Sequence, residues 1–107
     1  MTTAVANTFK ALGDPVRLEI IERLSSGSLH TLGSVSKDLG LTRQGARKHL
    51  QVLADAELIT LQPAGRSTAI SFVPQSLRAA NSFMEQLERK WDSRLEALRD
   101  YAERQAS

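Results

Sequence analysis

Between residues 41 and 53 the segment LTRQGARKHLQVL carries Arg43, Gln44, Arg47, Lys48 and Gln51 with no acidic residue among them. These side chains share one chemistry. Arg and Lys can bond guanine O6 and N7, Gln can bond adenine N6 and N7, and all of them can hold a phosphate. On a helical wheel Ala46, Leu50 and Leu53 fall in a narrow apolar arc; Gln44, Lys48 and Gln51 lie opposite, with Arg43 and Arg47 on one flank. The segment is expected to pack by one side and present a one-signed face on the other. A surface helix that meets only water usually mixes both signs.

Thr42, immediately before this helix, suits its N-cap and could also touch a DNA backbone, because the free N–H groups and positive dipole end of a first turn favour phosphate. Gly45 is a poor helix former near that end. It either is tolerated there or lets the helix approach a groove closely. Arg66 lies in a turn-rich stretch further on and suits a minor groove or a phosphate, unless it is simply a solvated turn residue.

Other chemistries find little material. Two isolated histidines, His30 and His49, have no second histidine at helical spacing, so they are a poor nucleus for zinc or nickel, and no metal or cofactor is expected. His49 falls beside the apolar arc and is expected to be half-buried and hydrogen-bonded, and His30 to sit in a loop. Cysteine is absent, which excludes disulfides, thiolate metal sites and a cysteine nucleophile. No phosphate-cradling glycine motif is present, and no histidine is suitably spaced to activate a serine. An enzyme is not expected.

The elements that must position the basic helix follow from caps, stops and periodicity. Val5, Phe9 and Leu12 predict a first helix over 3–12, ended by Gly13. Asp14-Pro15 restarts the chain as N-cap and first-turn proline, predicting a second helix over 15–25 with Val16, Ile20, Ile21 and Leu24 inward and Gly27 as its stop. Thr31 caps a third over about 32–39, with Leu32, Val35 and Leu39 inward and Gly40 closing it. The basic helix runs from Thr42 to about Ala56, so the third and fourth helices form a helix-turn-helix.

The period then drops to two. Ile59 and Leu61, and after them Ile70 and Phe72, alternate with polar residues around PAGRST, residues 63–68, which predicts a hairpin over about 58–73 with Arg66 at its tip. From about 74 to 104, Leu77, Ala80, Met84, Leu87, Trp91, Leu95, Leu98 and Ala102 step by three and four as one long helix. Its length of about 45 Å exceeds what a domain this small can cover, so something else must bury Trp91, Leu95 and Leu98.

A chain of 107 residues has room for one modest core, and one domain over 1–107 is expected. The fold class is mostly α with a small β-hairpin wing: a winged helix-turn-helix of five helices. The net charge of +2 is small, but from Arg78 onward six basic and six acidic residues cancel, which leaves the excess local to the fourth helix. Apolar runs are short, and the start MTTAVANTFKALGD lacks the basic and apolar regions of an export signal. No membrane association and a cytoplasmic location are expected.

FKALGDPVRLEIIERL (9–24), LGLTRQGARKHLQVLADAELI (39–59) and AGR (64–66) resemble the ArsR family of winged-helix repressors, in its forms FKALGDPTRL, KHLxVLxxAGLI and EGR. The resemblance covers about residues 5–102. It implies a symmetric homodimer through the first and last helices, with Val5, Phe9, Met84, Leu87, Trp91, Leu95 and Leu98 at the interface. It also implies that the fourth helix enters the major groove of double-stranded DNA while the wing follows the flanking backbone or minor groove, on an inverted-repeat operator.

Metal-sensing members carry a Cys motif on the third helix or His and acidic ligands on the last. Here TLGSVSKDLG and a last helix without His point to the metal-independent branch. Two departures stand out: Arg47 replaces the small hydroxyl residue usual before KHL, and Glu57 replaces the usual glycine. The expected function is a sequence-specific repressor with Thr42, Arg43, Gln44, Arg47, Lys48, Gln51 and Arg66 on DNA. A winged-helix module that binds protein instead of DNA is the alternative.

Overall fold

The computed structural model describes residues 3–27 and 31–106. The elements are α1 (Thr3–Leu12), α2 (Pro15–Ser25), α3 (Leu32–Asp38), α4 (Arg43–Asp55), β1 (Ile59–Ala64), β2 (Ser67–Phe72) and α5 (Gln75–Ala106). Every predicted element is present; α1 and α2 keep the expected ends, and the ends of the others shift by one or two residues. His30 lies outside the described residues.

The helix starts are made by short polar side chains. Asp14 Oδ1 accepts from the Val16 N–H at 2.8 Å and the Arg17 N–H at 3.2 Å, which satisfies two donors that the helix cannot. The bond from the Arg17 N–H is the chief cause that holds the Asp14 carboxyl below its ordinary range. At α3, Thr31 and Ser34 form a reciprocal capping box. Thr42 Oγ1 accepts from the Gly45 N–H at 3.0 Å and opens α4.

The two helices of the helix-turn-helix end in the same motif. After α3, Gly40 at φ 64° turns the chain, and the Leu41 N–H donates back to Ser36 O at 2.9 Å. The Ser36 hydroxyl donates to Leu41 O at 2.6 Å, so the turn into α4 is held from both directions. After α4 the Leu58 N–H donates to Leu53 O at 3.0 Å and the Glu57 N–H to Ala54 O at 2.9 Å, with Leu53 and Leu58 both buried. In this second motif the left-handed position, φ 59°, belongs to Glu57.

A β-carbon in that conformation costs about 1–2 kcal/mol. Glu57→Gly removes the strain but adds unfolded-chain entropy of about 0.4–1 kcal/mol. The net expected result is a gain of up to about 1.6 kcal/mol, seen as a higher melting temperature; a lower one would show that the Glu57 side chain compensates for its own strain.

The wing is tighter than the sequence suggests. Pairing runs from Ile59–Phe72 to Ala64–Ser67, leaving only Gly65 and Arg66 in the loop, with positive φ at Gly65 alone. Pro63, Ala64, Ser67 and Thr68, expected in the turn, are strand residues. Proline is accommodated because Pro63 lies on β1, which has a free edge. A bridge between Thr31 and Ala69 ties β2 to the start of α3.

The core combines Ala11, Ile20, Ile21, Leu24, Leu32, Val35, Ala46, Leu50, Leu53, Leu58, Ile59 and Ile70. Val16 and Leu39, expected inward, pack partly buried at its margin. α5 joins it through Leu77; Ala80 is buried outside that cluster, and Phe83 meets Phe9 of α1 with ring centroids 6.0 Å apart. Beyond Phe83 the helix leaves the core, and the molecule measures 73 × 24 × 21 Å.

Candidate nucleic-acid interface

The geometry of α4 follows from its two sides. Ala46, Leu50 and Leu53 are almost inaccessible, at 0%, 1% and 0% exposure, so the helix is seated by that arc. Arg43, Gln44, Arg47, Lys48 and Gln51 are all exposed. None of Arg43, Gln44, Arg47 and Lys48 has a side-chain hydrogen bond or ion pair among the described residues. The donors are therefore free for another molecule.

Gln51 stands apart. Its Nε2 donates to Asp55 Oδ1 at 2.9 Å, one turn further along the same helix. That bond must yield before Gln51 can meet a base. The acid lies just past the segment that defines the one-signed face, and (i, i+4) spacing brings the pair together.

Thr42 is exposed at the start of the helix, its Oγ1 engaged as an acceptor while its O–H is able to donate outward. Arg66 is exposed at the tip of the wing. At Gly45 a β-carbon would lie 3.1 Å from Thr42 Oγ1, tight enough to disturb the cap. The cap is thus a local reason for glycine there, besides any close approach to a groove.

His49 is half-buried, and its Nδ1 lies 3.2 Å from Arg17 Nη1 on α2. That agrees with the packed, hydrogen-bonded histidine expected from the sequence. Among the described residues no three His, Cys, Asp or Glu side chains gather as a metal site. No helix of the described residues is long and apolar enough to cross a membrane.

Sequence reasoning did not find the polar residues behind α4. Arg17 of α2, with its side chain only 17% exposed, and Leu58, fully buried next to the alternating strand, were both passed over by the sequence pattern. A positional signal did exist for Leu58: it stands two residues past a helix end, where an apolar side chain commonly packs back on the last turn.

A helix-turn-helix whose second helix carries an exposed donor face, followed by a hairpin with a basic tip, defines a winged helix-turn-helix DNA-binding protein. A helix-turn-helix domain family matches residues 12–62. The HTH-type transcriptional regulator Rv2034 of Mycobacterium tuberculosis is 35% identical over 95 residues, which span 89% of this chain and 82% of that protein. An ArsR-like transcriptional regulator from Rhodococcus sp. RHA1 superimposes with a TM-score of 0.79 at 29% identity, over 92% of each chain. The transcriptional repressor SdpR of Bacillus subtilis is 33% identical over 54 residues, 50% of this chain and 59% of that one.

The chain belongs to the ArsR family of winged helix-turn-helix transcriptional regulators. It is a DNA-binding regulator and not an enzyme.

Proposed function

We propose that the chain is one winged helix-turn-helix domain that works as a homodimeric, cytoplasmic repressor, binding an inverted-repeat operator without sensing metal. The observation that carries the DNA-reading part is the state of α4: Arg43, Gln44, Arg47 and Lys48 exposed and unpaired among the described residues, on a helix held by a buried arc. In this reading those four meet the major groove, Thr42 and Arg66 meet mainly the backbone, and Gln51 joins only if its bond to Asp55 opens.

The dimer reading rests on α5. Met84, Leu87, Trp91, Leu95 and Leu98 are 43–59% exposed along a helix that has no buried residue beyond Ala80. From 84 to 95 and from 87 to 98 the stripe repeats every eleven residues, a period close to that of a straight helix, so it runs nearly parallel to the axis and suits a similar helix beside it. Val5 and Phe9 of α1 are half-buried and Phe9 touches Phe83, which makes α1 continuous with that stripe. Two-fold pairing of one chain gives two identical reading heads and hence an inverted repeat. Repression is supported by the likeness to a repressor over half of the chain; a dimer that covers a promoter needs no other activity to block polymerase.

Selection of genomic fragments by the purified protein, followed by sequencing, tests this reading. An enriched inverted repeat is expected. Its log affinity should fall against log salt with a slope of about −0.9 for each phosphate neutralised. Binding without an enriched repeat would remove the repressor proposal and favour a protein-binding role for the same fold.

A further inference from the structure

The apolar arc that seats α4 does not by itself fix how the helix is rotated about its axis. Dispersion and apolar burial have no preferred direction, and Ala46 offers only a methyl group. A helix with its side chains is about 10–12 Å across, so a rotation of about 10° carries the tips of Arg47 and Lys48 by about 1 Å. That is enough to spoil a bidentate bond to a base edge, whose geometry is narrow. A directional contact holds that rotation more closely than packing alone.

Among the described residues one side chain of α4 hydrogen-bonds another helix, His49 Nδ1 to Arg17 Nη1 at 3.2 Å, while just past its last residue the carbonyls of Ala56 and Glu57 accept from Ser76 of α5. Gln51 bonds within the helix. Arg17 is itself held from two other sides. Its Nε donates to Ala11 O in the last turn of α1 at 2.6 Å, and its Nη1 stands 3.9 Å from Asp14 Oδ2, the carboxylate that caps α2. The side chain is only 17% exposed. Because a guanidinium is a rigid planar fork, fixing Nε on Ala11 O also fixes the direction in which Nη1 points. A guanidinium only donates, so Nδ1 of His49 accepts and the ring proton resides on Nε2.

We infer that Arg17 and His49 are positioning residues that set the rotation of α4, so that their hydrogen bond contributes to base selectivity without either residue touching DNA. The inference rests on the DNA-reading proposal above. It assigns the junction of α1, α2 and α4 a part in specificity that a merely packed histidine would not have. Lysine in place of Arg17 cannot do the same, since a single ammonium on a flexible stem has no fork to relay direction from Ala11 O to His49.

The test compares wild type with Arg17→Lys, His49→Leu and His49→Asn. The readout is the ratio of affinity for the selected repeat to that for a scrambled duplex at the same salt, with a thermal melt of each variant. Arg17→Lys and His49→Leu are expected to lose about tenfold in that ratio, while scrambled-duplex affinity holds within about twofold. His49→Asn, whose side-chain oxygen reaches nearly where Nδ1 stood, is expected to keep the ratio within about threefold. Equal loss on both duplexes, an unchanged ratio in the Lys and Leu variants, or Asn no better than Leu would overturn the inference.

Nitrogen NMR of the free protein separates this from the function itself. Nδ1 of His49 should show an unprotonated, hydrogen-bonded shift that moves in Arg17→Lys together with α4 amide shifts. If wild type selects no sequence, the proposed function fails, and the same spectra still decide the link: unmoved α4 shifts would show that Arg17 does not position the helix.

Discussion

Trp91→Arg is expected to leave the protein monomeric at micromolar concentration. Trp91 is 59% exposed on α5, and neither it nor any residue beyond Leu77 packs against the central buried cluster. Its indole therefore adds little to the fold of one chain. In the proposed dimer it would lie near the middle of the stripe from Met84 to Leu98, where an aromatic side chain buries about 150–250 Å². Counting only the 59% that one chain leaves exposed, at about 25 cal/mol per Å² the loss approaches 4 kcal/mol for each protomer as an upper figure, before the cost of desolvating an arginine is added.

Two-fold symmetry doubles the damage. Even half of the upper figure per protomer amounts to about 4 kcal/mol per dimer, or roughly a thousandfold in dissociation constant. Sedimentation equilibrium or light scattering reads the result directly. A variant that stays dimeric would show that the exposed stripe of α5 serves another contact. The melt of the winged-helix portion should change far less than the assembly does.

Arg47→Ala is expected to weaken binding to the selected repeat by about ten- to a hundredfold, the range for losing a bidentate base contact of about 1–3 kcal/mol. The folded state should hardly respond, within about 0.5 kcal/mol, because Arg47 is exposed and has no bonded partner among the described residues. Measuring at several salt concentrations separates two roles. A base contact relaxes the preference at one position of the repeat and leaves the salt slope nearly unchanged. A phosphate contact weakens all sequences alike and lowers the slope by about one. Unchanged affinity at every salt would remove Arg47 from the interface.

Arg47 also departs from the small hydroxyl residue that the family resemblance leads one to expect before Lys48. It brings charge and length to the exposed side of α4, beside Lys48. This protein's own base preference is therefore expected to show most at the base pair nearest Arg47. Gly45, the other unusual residue of that turn, has a local explanation in the Thr42 cap.

Much of the fold was legible because its signals are local. Asp14-Pro15, Thr31 and Thr42 start helices with side chains that reach only two or three residues ahead. Gly40 stops α3 with its own backbone conformation. Apolar spacing identified Ala46, Leu50 and Leu53 as the seated side of α4 and left its donor face outward. The hairpin loop was drawn too wide, since turn-forming types such as Pro63 and Ser67 are also tolerated at the ends of strands in a two-stranded ribbon.

The sequence by itself determined which segments become helices and strands, which face of α4 is buried, and that α5 carries more apolar surface than one chain can use. Caps, stops and periodicity act over a few residues, where chain connectivity already dictates who the neighbours are. Only the tertiary structure decided that Arg17 meets His49 across 32 positions, that Thr31 bridges to Ala69, that Ser76 at the start of α5 bonds the carbonyls of Ala56 and Glu57 at the end of α4, and that Phe83 meets Phe9. Those contacts depend on how the elements are oriented against one another. Orientation is set by the packing of the whole core, which no local pattern of residues encodes.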